Sequence, residues 1–310
     1  MKKRLSKNVE WSILICTILL IIIGLIALFS ATQNAEYDEF KKQLLWIGVS
    51  IPFIIAFTLI DYETIAKISP IIYAVLIILL IGVLFTEPIN GATSWYSFGS
   101  FTLQPAEFSK IFVIFVLALV MSKMTAKGKK EISRPTRLLI LLAIIGVPVL
   151  LIVKQPDYGT ALAFCVAFIL MLFVAGIDKK YIIAGFLIVA ITLPLLYFFV
   201  LPDHAKRRIE VFLNQDLDPR GAGYNLTQSK LAIGAGGLLG MGLLKGNQTQ
   251  LGYLSPKTTD FIFSVIGEEM GFIVAAAIVI LYVVLITKAM YVAKTAKDNL
   301  GSYIAMGIAG

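Results

Sequence analysis

The stretch WSILICTILLIIIGLIALFS, residues 11–30, runs for twenty positions without a charged side chain. About 20 apolar residues are what an α-helix needs to cross roughly 30 Å of hydrocarbon at about 1.5 Å per residue. Ahead of it stands MKKRLSKNVE, a basic start that could pass for a signal peptide. No small-residue cleavage site follows and the run is long enough to span, so it reads as an uncleaved first helix. Further apolar windows fall at about 43–60, 70–86, 105–122, 137–153, 158–176, 181–201 and 261–287, and a ninth begins near 303. Lipid offers no partner to unpaired backbone groups, so spans of this kind must be helices. The predicted fold is all-α: a polytopic transmembrane bundle of eight spans plus the start of a ninth, one membrane domain over residues 1–310.

Composition agrees and closes off other classes. Hydrophobic residues make up 58% and charged residues 15% of the chain, against roughly 45–50% and about 25% in soluble domains. The net charge of +8 has its ordinary explanation in a membrane protein, where Lys and Arg collect in cytoplasmic loops; no nucleic-acid partner is expected. Cys16 and Cys165 both fall inside apolar blocks, with no disulfide or metal spacing, and the lone His204 cannot build a metal site. Pro52, Pro148 and Pro194 lie within spans, where kinks are tolerated. With the N-terminus inside, the inner short segments hold fifteen Lys and Arg and the outer ones three (Lys41, Lys42 and Lys154). That asymmetry puts the N-terminus in the cytoplasm. One connection stands apart: residues 202–260 form a long glycine-rich, charged loop on the outer side, and loops of such length are usually functional.

Three segments carry purposeful polar residues, all on that outer side. In NGATSWYSFGSFTLQPAEFSK, residues 90–110, Pro105 suits a helix start. Glu107 and Lys110 then share a face of the fourth span, either as a structural ion pair or as functional charges just inside the membrane. In KQPDYGT, residues 154–160, Asp157 stands where a helix begins, and a capped turn is the simpler reading than catalysis. The third segment runs from the long loop into the eighth span. Its glycines at 234, 236, 237, 240 and 242 match no nucleotide-binding loop, and close packing or loop flexibility explains them better. Lys206, Arg207, Arg208, Arg220, Lys230 and Lys245 make this loop basic, as a solvated loop or a pyrophosphate-bearing ligand would require. Asp260 stands at the mouth of the eighth span, before FIFSVIG. On a helix, Ser264 and Gly267 would follow on its face and Glu268 roughly 12 Å deeper. An Asp here is most often an N-terminal cap; a carboxylate at an apolar edge also suits a general base.

Together these segments resemble the SEDS family (shape, elongation, division and sporulation), which includes RodA, FtsW and SpoVE. The resemblance rests on Trp95 through Lys110 with QPAEFSK, on QPDYGTAL at 155–162, and on residues 208–272 with DPRGAGYNLTQSKLAIGAGG, GNQTQ and TTDFIFSVIGEE. The wording around AGYN and GNQTQ is most like RodA. The resemblance implies an inverting peptidoglycan glycosyltransferase that polymerises lipid II, the undecaprenyl-diphosphate-linked disaccharide peptide. Such an enzyme forms β-1,4 linkages on the outer face of the bacterial cytoplasmic membrane, releases undecaprenyl diphosphate, and works with a class B penicillin-binding protein. The family's essential acidic residue lies in its TDFIF segment, here Asp260. The resemblance makes it either the general base on the acceptor 4-hydroxyl or a ligand for a divalent cation, Mg or Mn. Glu107, Lys110, Trp95, Asp157, Ser264 and Glu268 would shape the substrate cavity. Arg208, Lys230 and Lys245 become candidates for the diphosphate.

Two features depart from the family pattern. A Pro-Glu pair usual before the catalytic Asp is replaced by Ser255 and Pro256. The family has ten spans and a late motif rich in Pro, Ser, Tyr and Gly that would fall beyond residue 310, so the chain is C-terminally incomplete relative to it. A lipid II flippase and a non-catalytic scaffold for the penicillin-binding protein are the competing classes. The crowding of polar residues on one face and the absence of inverted repeats argue against transport.

Overall fold

A computed structural model of the chain describes residues 10–33, 37–88, 92–99, 101–126, 128–200, 203–219 and 221–310. Among these, eight helices are long and apolar enough to cross a membrane. They are α1 (Trp11–Ala31), α2 (Asp38–Leu59), α3 (Tyr62–Gly82, prolonged by a 3-10 turn to Phe85), and, after the two-stranded β1 (Tyr96–Phe98) and β2 (Phe101–Leu103), α4 (Pro105–Thr125), α5 (Pro135–Lys154), α6 (Tyr158–Ala175) and α7 (Lys179–Leu195). The connection expected as a loop is itself partly helical, with α8 (Asp203–Leu213), α9 (Ala222–Ala235) and the single turn α10 (Asn247–Gln250). The eighth span, α11, is Ile262–Thr295, and α12 is Asn299–Ala309.

Local chemistry sets the ends of these helices. Pro105 and Pro135 open α4 and α5 at positions where a missing N–H costs nothing. Asp61, Asp157 and Asp298 cap α3, α6 and α12, each accepting a backbone N–H at 3.2, 3.1 and 2.6 Å respectively. Gly176 ends α6 in the left-handed conformation. The third helix begins at Tyr62, eight residues before its apolar window, where Asp61 caps it and the exposed Glu63 and Lys67 stand 3.8 Å apart on one face.

The chain divides into two compact units, Met1–Ile54 with Ile188–Lys288, and Ile55–Leu187 with Ala289–Gly310. The second unit holds the larger core. There Leu80, Leu117, Met121, Leu141, Ile152 and Met171 pack with Tyr303 of α12, all essentially inaccessible. In the first unit two smaller clusters join α1 to α11: Ala27 with Ile266 and Ile278, and Ala31 with Leu254 and Val265.

The first unit is organised by a break in α11. Gly271 has φ 78° and ψ 179°, so the hydrogen-bond ladder fails there. The glycine-rich stretch after α9 repairs it. Met241 and Gly242 donate backbone N–H to the carbonyls of Glu268 and Glu269 at 2.9 and 3.0 Å, and the N–H groups of Phe272 and Ile273 reach the carbonyls of Gly237 and Leu238 at 2.9 and 3.3 Å. Each of these groups left unpaired in apolar surroundings would cost about 2–7 kcal/mol. Backbone can approach backbone this closely only without side chains: a Cβ on Gly236 would strike the Gly267 carbonyl, and one on Gly240 the Glu269 carbonyl. At Gly236 and Gly240 the close packing is thus main chain against main chain, while Gly234 and Gly237 have open space where a Cβ would stand.

Gly240→Ala adds that collision to a φ of +84° and is expected to cost about 2–4 kcal/mol, read as a fall in the thermal unfolding midpoint of the purified protein. Gly234→Ala, with open space around its Cβ, should leave the midpoint unchanged or raise it. Equal midpoints for the two variants would show that the repair is not structurally important.

Candidate functional site

The predicted site residues fall into two groups, one in each unit. In the second unit the two Gln-Pro turns interlock. Gln104, just before α4, donates its side-chain amide to Asp157 Oδ2 at 2.8 Å, while Asp157 Oδ1 accepts the Thr160 N–H that it caps. Gln155 is fully buried, donating to the Leu80 carbonyl at 3.3 Å, and its own carbonyl accepts the Ser94 hydroxyl at 3.2 Å. Trp95 is half-buried and its carbonyl accepts the Thr86 hydroxyl at 3.2 Å. Both oxygens of Asp157 are therefore committed to holding two helix starts together. Lys110 and Glu107 form an ion pair at 2.9 Å on the first turns of α4. Lys110 also borders a cavity of about 300 Å³ whose other walls are apolar, including Ile114, Phe164, Phe168 and Met171.

In the first unit, Asp260 precedes α11 and is exposed. Its carboxylate makes no hydrogen bond or ion pair among the described residues, and it does not cap the helix that follows. The neighbouring Thr258 and Ile262 line a cleft of about 470 Å³ shared with Leu20, Gly24 and Leu28 of α1 and Gln43 of α2. Asp260 itself is not part of that lining; its carboxylate is exposed to the surroundings.

Ser264 and Glu268, expected to line a substrate cavity, do not do so. Ser264 is buried against Ser229 of α9, with the two hydroxyls 2.7 Å apart. Glu268 is wholly buried and its oxygens are filled: Gln248 N–H donates at 2.7 Å, Thr249 N–H at 3.0 Å and the Thr249 hydroxyl at 2.6 Å. Glu269, which sequence reasoning did not single out, is buried beside it. It accepts from the N–H groups of Leu244 and Gly246 at 3.2 and 3.3 Å and from the Gln250 amide at 2.8 Å. The pair pins residues 244–250 to α11. The doubled Glu after Gly267 was the visible signal, but its partners are distant in sequence.

Among the basic candidates, Lys230 is exposed and donates to Gln215 Oε1 at 2.9 Å. Lys245 is exposed without a partner among the described residues. Arg208 lies on α8, with its side chain outside the described set, and Arg220 lies outside the described residues. Lys257 was missed. It donates to the Thr249 carbonyl at 2.7 Å, and burial lowers its pKa while the nearby Glu269 opposes the shift. The described residues hold no group of three or more His, Cys, Asp or Glu placed to bind a metal. Among the described residues Asp260 stands as a single carboxylate outside any such group.

Comparison with known proteins adds the following. The family profile described as "Cell cycle protein", covering FtsW, RodA and SpoVE, matches residues 10–310. The chain is 30% identical over 302 residues to the peptidoglycan glycosyltransferase MrdB of Escherichia coli (strain K12), covering 97% of this chain and 80% of that protein. It is 34% identical over 313 residues to the stage V sporulation protein E of Bacillus subtilis (strain 168), covering 96% and 81%. Its fold matches the crystal structure of the Thermus thermophilus rod shape determining protein RodA with a TM-score of 0.69 at 21% identity, over 98% of this chain and 81% of that one. A chain from a peptidoglycan synthase complex that coordinates polymerization and crosslinking matches with a TM-score of 0.79 at 20% identity, over 98% and 83%.

The commitments of Asp157 give a direct test. Asp157→Ala loses a cap and a side-chain hydrogen bond and should destabilise the protein by about 1–3 kcal/mol, whereas Asp157→Asn keeps an acceptor for Thr160 and should lose less. Thermal unfolding of both variants decides it, and equal losses would mean that the cap contributes nothing.

Proposed function

Because the chain belongs to the FtsW/RodA/SpoVE family of cell cycle proteins, we propose that it is a peptidoglycan glycosyltransferase that builds glycan strands from lipid II. It is a multi-pass membrane protein. The proposal sets its N-terminus in the bacterial cytoplasm and Asp260 at the extracytoplasmic face. The observation that carries the reading is Asp260 itself: an exposed carboxylate, unpartnered among the described residues, standing in the chain between Thr258 and Ile262, which line a cleft made mostly of aliphatic side chains. An isoprenoid-linked sugar diphosphate asks for that combination of an apolar wall with a polar group at its edge.

In the proposed reaction Asp260 takes the proton of the acceptor sugar's 4-hydroxyl as its oxygen attacks the anomeric carbon of the donor. The bond from that carbon to the phosphate oxygen breaks on the opposite side, and undecaprenyl diphosphate leaves. A single displacement turns an α-phosphate into a β-1,4 glycoside, so one base suffices. Negative charge grows on the leaving diphosphate, and Lys230, Lys245 and Arg208 are the cations assigned to it. In the alternative role Asp260 would not take the proton but would hold a divalent cation, Mg or Mn, together with the diphosphate, and so neutralise that charge. Glu107 and Lys110, paired at 2.9 Å in the second unit, are proposed as further substrate contacts. The RodA-like wording of residues 221–250 favours a role in cell elongation. The likeness to a chain from a synthase complex that couples polymerization to crosslinking supports a class B penicillin-binding protein as partner.

Purified protein with lipid II, with and without the partner transpeptidase, is expected to make glycan strands. Asp260→Asn should lower the rate by at least about 10²-fold with folding and partner binding retained. Polymerisation by Asp260→Asn at the wild-type rate would falsify the assignment. Movement of labelled lipid II across vesicle bilayers without any polymer would replace the enzyme with a transporter.

A further inference from the structure

We infer that Lys257 is a positioning residue for Asp260, acting through Thr249 and the buried carboxylate of Glu268. The inference rests on the reading of Asp260 as the reactive carboxylate. Because no side chain among the described residues holds that carboxylate, the backbone of residues 255–261 alone decides where it stands. This backbone is irregular, made of turns between α10 and α11. Its near end is fixed by Leu254, which is buried against Ala31 and Val265 and donates its N–H to the Gln248 carbonyl at 3.2 Å. Its far end enters α11. Between them the Phe261 N–H reaches the Pro256 carbonyl at 3.3 Å, a bond that closes the turn on itself and ties it to nothing else.

Phe261, at the end of this interval, packs on the Leu254 and Val265 cluster, and before it the one side-chain hydrogen bond found among the described residues is the Lys257 ammonium on the Thr249 carbonyl, at 2.7 Å. Thr249 is a fixed point. It is fully buried, and both its N–H and its hydroxyl donate to Glu268 Oε2, at 3.0 and 2.6 Å. Glu268 in turn projects from the helix that Asp260 precedes. A closed circuit results: α11 holds Glu268, Glu268 holds Thr249, Thr249 holds Lys257, and three residues further on the chain returns to Asp260 and α11. A lysine serving only solubility would reach into water, whereas this one is half-buried and spends a charge-assisted hydrogen bond on a main-chain carbonyl. A general base must stand within hydrogen-bond reach of the proton it removes. A segment free to shift by about an ångström would lose much of the rate without losing the substrate.

Two substitutions and two measurements test this. Lys257→Met keeps the aliphatic stem and removes the donor, while Lys257→Arg keeps a donor. In lipid II polymerisation Lys257→Met should lower kcat about 10- to 100-fold with KM within about twofold, and Lys257→Arg should recover most of the loss. Independently of activity, a nitroxide is attached to Asp260→Cys in a Cys16→Ala, Cys165→Ala background. Its spectrum should sharpen on adding Lys257→Met and stay broad on adding Lys257→Arg. An unchanged spectrum overturns the inference, and so does a raised KM at constant kcat, which would make Lys257 a direct substrate ligand. Wild-type protein that makes no polymer overturns the glycosyltransferase reading instead, and the spectra then decide the tether by themselves.

Discussion

A membrane-spanning helix that breaks its own hydrogen-bond ladder must find partners from elsewhere in the chain, and α11 meets that demand at Gly271. The four backbone bonds exchanged with residues 237–242 bring the stretch after α9 against the helix that carries the candidate site. They also require bare backbone at Gly236 and Gly240. Once that stretch is fixed, residues 244–250 lie within reach of Glu268 and Glu269, and the turn leading to Asp260 has an anchored neighbour to lean on. The order of causes runs from one broken ladder, through glycine, to the placing of a carboxylate.

The acidic residues in this region divide into two physical kinds. Glu268 and Glu269 are buried, and each receives three hydrogen bonds from backbone or neutral side-chain donors. Buried carboxylates are tolerable only when their oxygens are satisfied in this way. Asp260 is exposed and keeps its oxygens unspent. The first kind supports and the second remains available for a ligand, although all three stand within ten residues of one another in the chain.

The spans were readable in the sequence because hydropathy over about 20 residues is a local property that little else can override. Their ends were less so. The start of α3 at Tyr62, behind the Asp61 cap, lies in polar sequence outside the apolar window, and α8 and α9 are short helices hidden in polar sequence that reads as loop. The capping role of Asp157 was legible because a cap is made with residues two or three positions away. Glu268 was misread for the opposite reason. Helical spacing put it below Asp260, but its partners, Gln248 and Thr249, come from a segment about twenty residues earlier. Lys257 carried no sequence signal at all, since only the fold places Thr249 under it.

Helix α2 has no buried residue anywhere along Asp38–Leu59. Apart from Phe40, which meets Phe29 edge-on, and Gln43, which lines the cleft, most of its apolar side chains are exposed. Exchanging its exposed Leu, Ile and Val side chains for one another is expected to cost little, so long as the length and hydropathy of the span are kept. The glycines beneath α11 have no such freedom. One protein thus tolerates a change of side-chain shape where its surface is open and refuses even a single methyl group where backbone meets backbone.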